Sequence, residues 1–250
     1  MSSSVTSPNS GPPSQGVWSS VAPYVVPPVA ASLAIVPVFR DMVAKSAQQK
    51  GEPVPSMTFK EGVKGGSKMA PTVGGIVGTQ MAIQRVVEQA VKQDSQPGNV
   101  FSKLASSAVV GMTSAPVLAV FNGQTMGWTA REALKKFSLK QGGAIAAQET
   151  AFVGGLSVAD NVAAVMKEAL GDNKVVDYMA AFVSGVAGSV AGHPANTALT
   201  RWQSGMSVDK VRQLMWGVCR RARAIGGFSV GYKFCKEALG ATTAPPKNGH

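Results

Sequence analysis

The sequence predicts an all-α membrane protein with six transmembrane helices, arranged as three tandem two-helix repeats joined by short connecting helices. Three observations predict it: long uncharged stretches, a proline that recurs at a fixed interval, and a net charge confined to three segments. Only 15% of the 250 residues are charged, 45% are hydrophobic and 28 are Gly, so the chain is poor in charge and rich in small side chains. The mean hydropathy of +0.10 is not decisive alone, because the apolar stretches are built from Ala, Val and Gly.

Uncharged runs at 17–39, 69–84, 104–130 and 178–200 are the clearest candidate spans. Three of them exceed about 20 residues, the length of helix that crosses a hydrocarbon core of roughly 30 Å. Two weaker stretches complete six: 141–160, interrupted by Glu149, and 224–232, flanked by Arg223 and Lys233. A soluble bundle with an Ala-rich core is the alternative reading of the same runs.

A proline recurs late in an apolar segment at Pro37, Pro116 and Pro194, giving intervals of 79 and 78 residues. Each is followed by a basic stretch and then by a Gly-rich apolar segment, marked by Gly74-Gly75, Gly142-Gly143 with Gly154-Gly155, and Gly226-Gly227. Repetition at this period implies three copies of a two-helix unit, placed at 17–97, 98–173 and 174–240. The uncharged Ser/Pro/Gly-rich residues 1–16 read as a disordered tail without the Arg-rich pattern of a cleaved mitochondrial leader, and 241–250 as a loose one.

The charge of +11 lies in the segments 40–68, 131–140 and 201–223, and the remainder of the chain sums to zero. Loops on one side of a membrane share a Lys/Arg bias, so these three fall on one face and both termini on the other. Anionic membrane lipid is the expected counter-charge. Nucleic acid is not, because the basic residues do not interleave with aromatics that could stack on bases. Within the apolar segments Ser184, Gly188 and Gly192, and likewise Ser107, Gly111 and Ala115, fall four apart, the spacing of a small-residue ridge at which helices approach closely.

Cys219 and Cys235 are sixteen residues apart with no partner His nearby, and read as packing residues rather than a disulfide or metal site. No Ser/His/Asp set, paired catalytic carboxylates or phosphate-binding Gly loop is present, so neither enzymatic activity nor a cofactor is expected. Glu149 is an ionisable residue in an apolar span, either functional or paired with a neighbouring helix. Gln80 and Gln148 would line a cavity or bond between helices, and His193, beside Pro194, reads as a kink residue.

The run from Phe182 to Gln203, with Pro194, Arg201 and Gln203, resembles the odd-helix motif P-x-[DE]-x-x-[KR]-x-[KR]-x-Q of the mitochondrial carrier family. Gly78-Thr79-Gln80 sits where nucleotide carriers of that family have a P-T-Q turn, and Arg223-Ala-Ile-Gly226-Gly227 is similar to their R-x-x-G-G step. The resemblance implies six spans in the mitochondrial inner membrane, with both termini on the intermembrane-space side and cardiolipin among the bound lipids. It also implies a substrate-contact role for Arg223. The family's acid and base positions hold Phe39 and Met42, Leu118 and Phe121, and Asn196 and Leu199 here, so the ion pairs that would close the basic-loop side are absent. At the other end the family's aromatic-acid-x-x-base motif becomes Tyr232-Lys233-x-x-Lys236, and it is scarcely recognisable around Glu88 or Asp160. The expectation is a carrier-like protein that does not transport and serves as a subunit of an inner-membrane complex of respiratory or ATP-synthase type. An atypical transporter of an anionic metabolite, using Arg223, Glu149 and Gln80, is the alternative, and a soluble basic scaffold the third.

Overall fold

The computed structural model describes residues 17–91 and 100–240, and those residues are helical wherever they have regular structure. The chain runs through α1 (Val17–Lys50), α2 (Phe59–Val91), α3 (Val100–Thr125), the short α4 (Ala130–Lys135), α5 (Leu139–Leu170), α6 (Lys174–Ala191), α7 (His193–Gln203), a 3-10 turn (Val211–Met215) and α8 (Val218–Ala238). The expected tails and the boundary between the first two repeats lie outside the described residues, as do the side chains of Glu88 and Asp160.

Among the described residues, three helical segments are long and apolar enough to cross a membrane: Val21–Lys50, Leu104–Thr125 and Lys174–Ala191. Their outward faces carry large apolar side chains, among them Tyr24 and Leu33 on α1, Met112 on α3 and Phe182 on α6. α1 holds Pro23, Pro27, Pro28 and Pro37 without interruption, and α3 holds Pro116. Proline is tolerated inside apolar helices where neighbouring helices re-satisfy the freed backbone groups.

The third proline acts differently. Pro194 stands in the first turn of α7, directly after Gly192 ends α6, so the expected single span at 178–200 is two helices. Pro lacks an N–H and its ring collides with the preceding turn, which makes a helix start one of its few comfortable positions.

The long helices pack in chain order: α1 on α2, α2 on α3, α3 on α5, α5 on α6, and α6 on α8, which returns to α1. That order closes a ring. α7 turns inward from the end of α6 and meets α5, α1 and α3. Two apolar clusters flank the interior: Ala31, Ile35, Met42, Val73 and Ala224 join α1, α2 and α8, while Ala115, Ala119, Ala144, Ile145 and Leu199 join α3, α5 and α7.

Small side chains set the spacing between α5 and α6. A methyl group added at Gly155 would stand 2.7 Å from the Gly188 Cα, and one at Gly192 would stand 2.8 Å from the Gln148 carbonyl oxygen. Gly111 of α3 lies against Glu149 and Ala146 of α5 in the same way.

The basic segments are mostly helical rather than looped. Residues 40–50 extend α1, residues 59–68 begin α2, and only 51–58 connect them without a helix. Connecting helices are present after α3, as α4, and before α8, as the 3-10 turn. α4 opens with a reciprocal cap: the Thr129 hydroxyl accepts from the Glu132 N–H, and the Glu132 carboxylate accepts from the Thr129 N–H at 2.7 Å. That backbone bond, seconded by the Thr129 hydroxyl, holds the Glu132 carboxyl below its ordinary range.

Candidate functional site: a polar lock beneath a central cavity

Where α1, α3 and α7 converge, three helical stripes of polar side chains face one another. On α1 the stripe is Lys45, Ser46 and Gln49, on α3 it is Asn122 and Thr125, and on α7 it is Asn196, Thr197, Thr200 and Gln203; all nine residues are buried. Spacings of three and four put each set on one side of its helix.

The stripes interlock. Ser46 and Thr125 share a hydroxyl–hydroxyl bond of 2.7 Å. The Asn122 amide donates to the Thr200 hydroxyl at 3.1 Å and to Gln203 Oε1 at 2.6 Å, while Gln203 Nε2 donates to the Ala119 carbonyl at 3.0 Å. Gln49 Nε2 donates to Asn196 Oδ1 at 3.0 Å and Thr197 Oγ1 at 2.9 Å, and its own Oε1 accepts from Thr200 at 2.8 Å. Ser46 and Thr125 stand nine residues after Pro37 and Pro116, as Gln203 does after Pro194. Asn122 and Thr200 each stand six residues after their prolines, so two of these bonds join positions at equal distances from the recurring prolines.

Lys45 is the one cation among these nine residues. It is 3% exposed, and its Nζ donates to Asn196 Oδ1 at 3.1 Å and Asn122 Oδ1 at 3.4 Å. No ion pair lies in the lock among the described residues. Arg201 borders the lock: its Nη1 donates to the Gln49 carbonyl at 3.2 Å, its Nε to the Ser207 carbonyl at 2.8 Å, and its guanidinium lies 5.7 Å from the Trp216 ring centre. His193 bonds the Trp216 carbonyl at 3.0 Å, fixing the start of α7 against the last connection.

Behind the lock lies a cavity of about 190 Å³, lined from α1, α2, α3, α5, α7 and α8. Its polar wall continues the lock. Asn196 Nδ2 donates to Gln148 Oε1 at 2.8 Å, Gln148 Nε2 to Glu149 Oε1 at 3.1 Å, and Gln80 Nε2 to Glu149 Oε2 at 3.4 Å. Gln80 and Glu149, singled out in the sequence, are thus brought together in the cavity wall. The chain matches no known protein family, no curated protein and no solved structure.

Arg223 is elsewhere. It stands outside the cavity, largely exposed, where its guanidinium and that of Arg220 pair with Asp41 of α1. The arginine that lines the cavity is Arg221, 5% exposed, whose Nη1 donates to the Gly192 carbonyl at 3.1 Å. Two residues along a helix is a rotation of about 200°. Arg221 and Arg223 therefore face opposite ways on α8.

Lys45 and Asn122 escaped the sequence reading because the carrier motif directs attention to positions two and five residues after each proline, whereas Asn122 stands six after Pro116 and Lys45 eight after Pro37. Arg221 escaped it because the R-x-x-G-G step points to Arg223. Comparing Ser46, Thr125 and Gln203 was the available signal: three hydrogen-bonding side chains nine residues after the recurring proline.

Proposed function

We propose that the protein is a six-span, three-repeat membrane protein with a frame of mitochondrial-carrier type that does not transport, and that serves as a structural subunit of a respiratory or ATP-synthase-type complex in the mitochondrial inner membrane. The observation that carries this reading is the lock. A gate that alternates needs contacts that differ little in free energy between its two states. Here the convergent end is held by buried amides and hydroxyls, and each such hydrogen bond exchanged for water costs about 0.5–1.5 kcal/mol. Opening would break many of them at once.

The ring order of the helices, the apolar outer faces of α1, α3 and α6, and the three basic segments support the six-span frame, with both termini on the intermembrane-space side. Anionic lipid, cardiolipin included, is the expected counter-charge to the basic face. The purified chain in liposomes is expected to show no saturable exchange of nucleotides, phosphate or carboxylates, and native gels of mitochondrial membranes are expected to show it in a large complex. Saturable exchange would sink the reading. It would favour instead an atypical transporter of an anionic metabolite, a second reading supported by the charged side chains of the cavity wall.

A further inference from the structure

On the outside of the ring, where α8 begins, α1, α2 and α8 enclose a groove of about 420 Å³. Arg40 and Asp41 of α1 form its floor, Phe59 and Val63 of α2 one wall, and Arg220 and Arg223 of α8 the other. Asp41 is the single carboxylate against three arginines, and it is already paired. Arg220 Nη1 donates to it at 3.4 Å and Arg223 Nε at 2.8 Å, with a second bond from the same Arg223 guanidinium. Arg40 is exposed and has no ion pair or side-chain hydrogen bond among the described residues. The groove thus presents net positive charge to whatever lies against it. Charge alone would suit a lipid phosphate as well as a protein carboxylate.

α8 separates the two. Its uncharged stretch, 224–232, is nine residues or about 14 Å long, against a hydrocarbon core of roughly 30 Å. It is not among the described segments long and apolar enough to cross a membrane. Yet its outer side is uncovered: Arg223 and Phe234, three turns apart on one side of the helix, are both exposed. Charged groups on the lipid side of a helix are unfavourable, whereas a neighbouring polypeptide can pair them. Such a neighbour would cover the stretch from Gly227 to Phe234 with apolar side chains and meet the groove with a carboxylate. Phe59, 73% exposed at the groove's rim, offers it an aromatic anchor. A second copy of this chain does not fit, because a two-fold contact sets the same patch on both sides and brings arginines against arginines.

We propose that this groove docks a different subunit of the complex, through a membrane-spanning helix that lies along α8 and places an Asp or Glu side chain among Arg40, Arg220 and Arg223. The proposal rests on the reading of the chain as a structural subunit and names the face by which it joins. A helix with its side chains is about 10–12 Å across, so the groove receives side chains of the partner and α8 receives its length.

The test is photocross-linking of the full chain in its native membranes, with p-benzoylphenylalanine in place of Phe59. An adduct with one protein of different sequence is expected, its cross-linked peptide, read by mass spectrometry, lying at the end of a membrane-spanning segment beside an Asp or Glu. Arg40→Glu breaks no side-chain bond within the chain and is expected to lower the adduct by roughly fivefold or more, since like charges then meet. Arg131→Glu, an equal charge change on exposed α4, is expected to leave it unchanged. Val63→Trp is the second variant: it keeps all three arginines and fills the groove, and is expected to lower the adduct as far as Arg40→Glu does. Adducts with lipid alone or with a second copy overturn the proposal, as does a protein adduct indifferent to both Arg40→Glu and Val63→Trp. Native gels of the same membranes keep the two claims apart. A large complex without the expected adduct overturns this face alone, whereas a free chain overturns the subunit reading itself.

Discussion

The two ends of the helical ring are held by opposite means. At the end where α1, α3 and α7 converge, nine buried side chains form a network whose single charge is Lys45. At the other end the contacts are ionic and lie at the surface. Lys167, at the end of α5, pairs with Asp172 at 3.1 Å and with Asp177 of α6 at 2.7 Å, while Glu237 of α8 pairs with Lys233 at 3.1 Å and accepts from the Tyr178 hydroxyl at 2.8 Å. The ionic end is adjustable, because exposed pairs are screened and contribute little. The polar end is not, because its bonds cannot be exchanged for water without opening the protein. Rigidity in this molecule follows burial and not charge.

The largest effect that would break this contrast comes from Asn196→Leu. It removes the acceptor of Lys45 and Gln49, two buried partners at about 1–3 kcal/mol each, and the donor to the half-buried Gln148. Thermal unfolding in detergent is expected to fall by many degrees, and a shift no larger than that of a surface variant would show that the lock bears little of the stability. Next is the Ser46–Thr125 pair. A double-mutant cycle with Ser46→Ala and Thr125→Val is expected to give a coupling of about 0.5–1.5 kcal/mol, read from denaturation midpoints.

At the opposite end Lys167→Ala is expected to leave the unfolding temperature within experimental scatter, at low and at high salt alike. A loss that appears only at low salt would mean that the exposed pairs act as a network. Smallest is an acid effect at α4. The folded protein holds the Glu132 carboxyl below its ordinary value, so its stabilising contribution is complete above the unfolded value and is lost as pH falls through the folded one. Glu132→Gln is expected to lessen the acid sensitivity of local unfolding at 130–135, measured by amide hydrogen exchange.

Much of the fold was legible in the sequence because membrane-type helices announce themselves by length and by lack of charge. The apolar runs at 17–39, 104–130 and 178–200 begin in the three described helices that could cross a membrane. Their ends were less legible. α1 continues to Lys50 through Arg40, Asp41 and Lys45, since a helix does not stop where its hydropathy does. The break at Gly192 was signalled by Pro194, yet Pro37 and Pro116 sit in uninterrupted helices, so a proline alone did not distinguish kink from break.

The site was half legible. Glu149 stood out because an ionisable group in an apolar run needs a partner, and Gln80 is one of its two amide donors. Arg223 was chosen over Arg221 by a motif, and only the rotation of α8 separates the arginine on the cavity wall from the one that pairs with Asp41. Lys45 is one of six bases in the segment 40–68, and a charge count carries no information about which side of a helix a charge occupies.

The two thiols of α8 acquire a use from this geometry. Cys219 is exposed at the start of the helix and Cys235 is partly covered near its end, about 24 Å further along at 1.5 Å per residue. Cys219 stands beside the basic residues Arg220, Arg221 and Arg223, and Cys235 stands among the side chains of the ionic end. In the six-span frame proposed above, a thiol reagent that cannot cross lipid would therefore reach Cys219 from one compartment only. In that frame the chain would carry its own compass for membrane orientation, with no tag to be added.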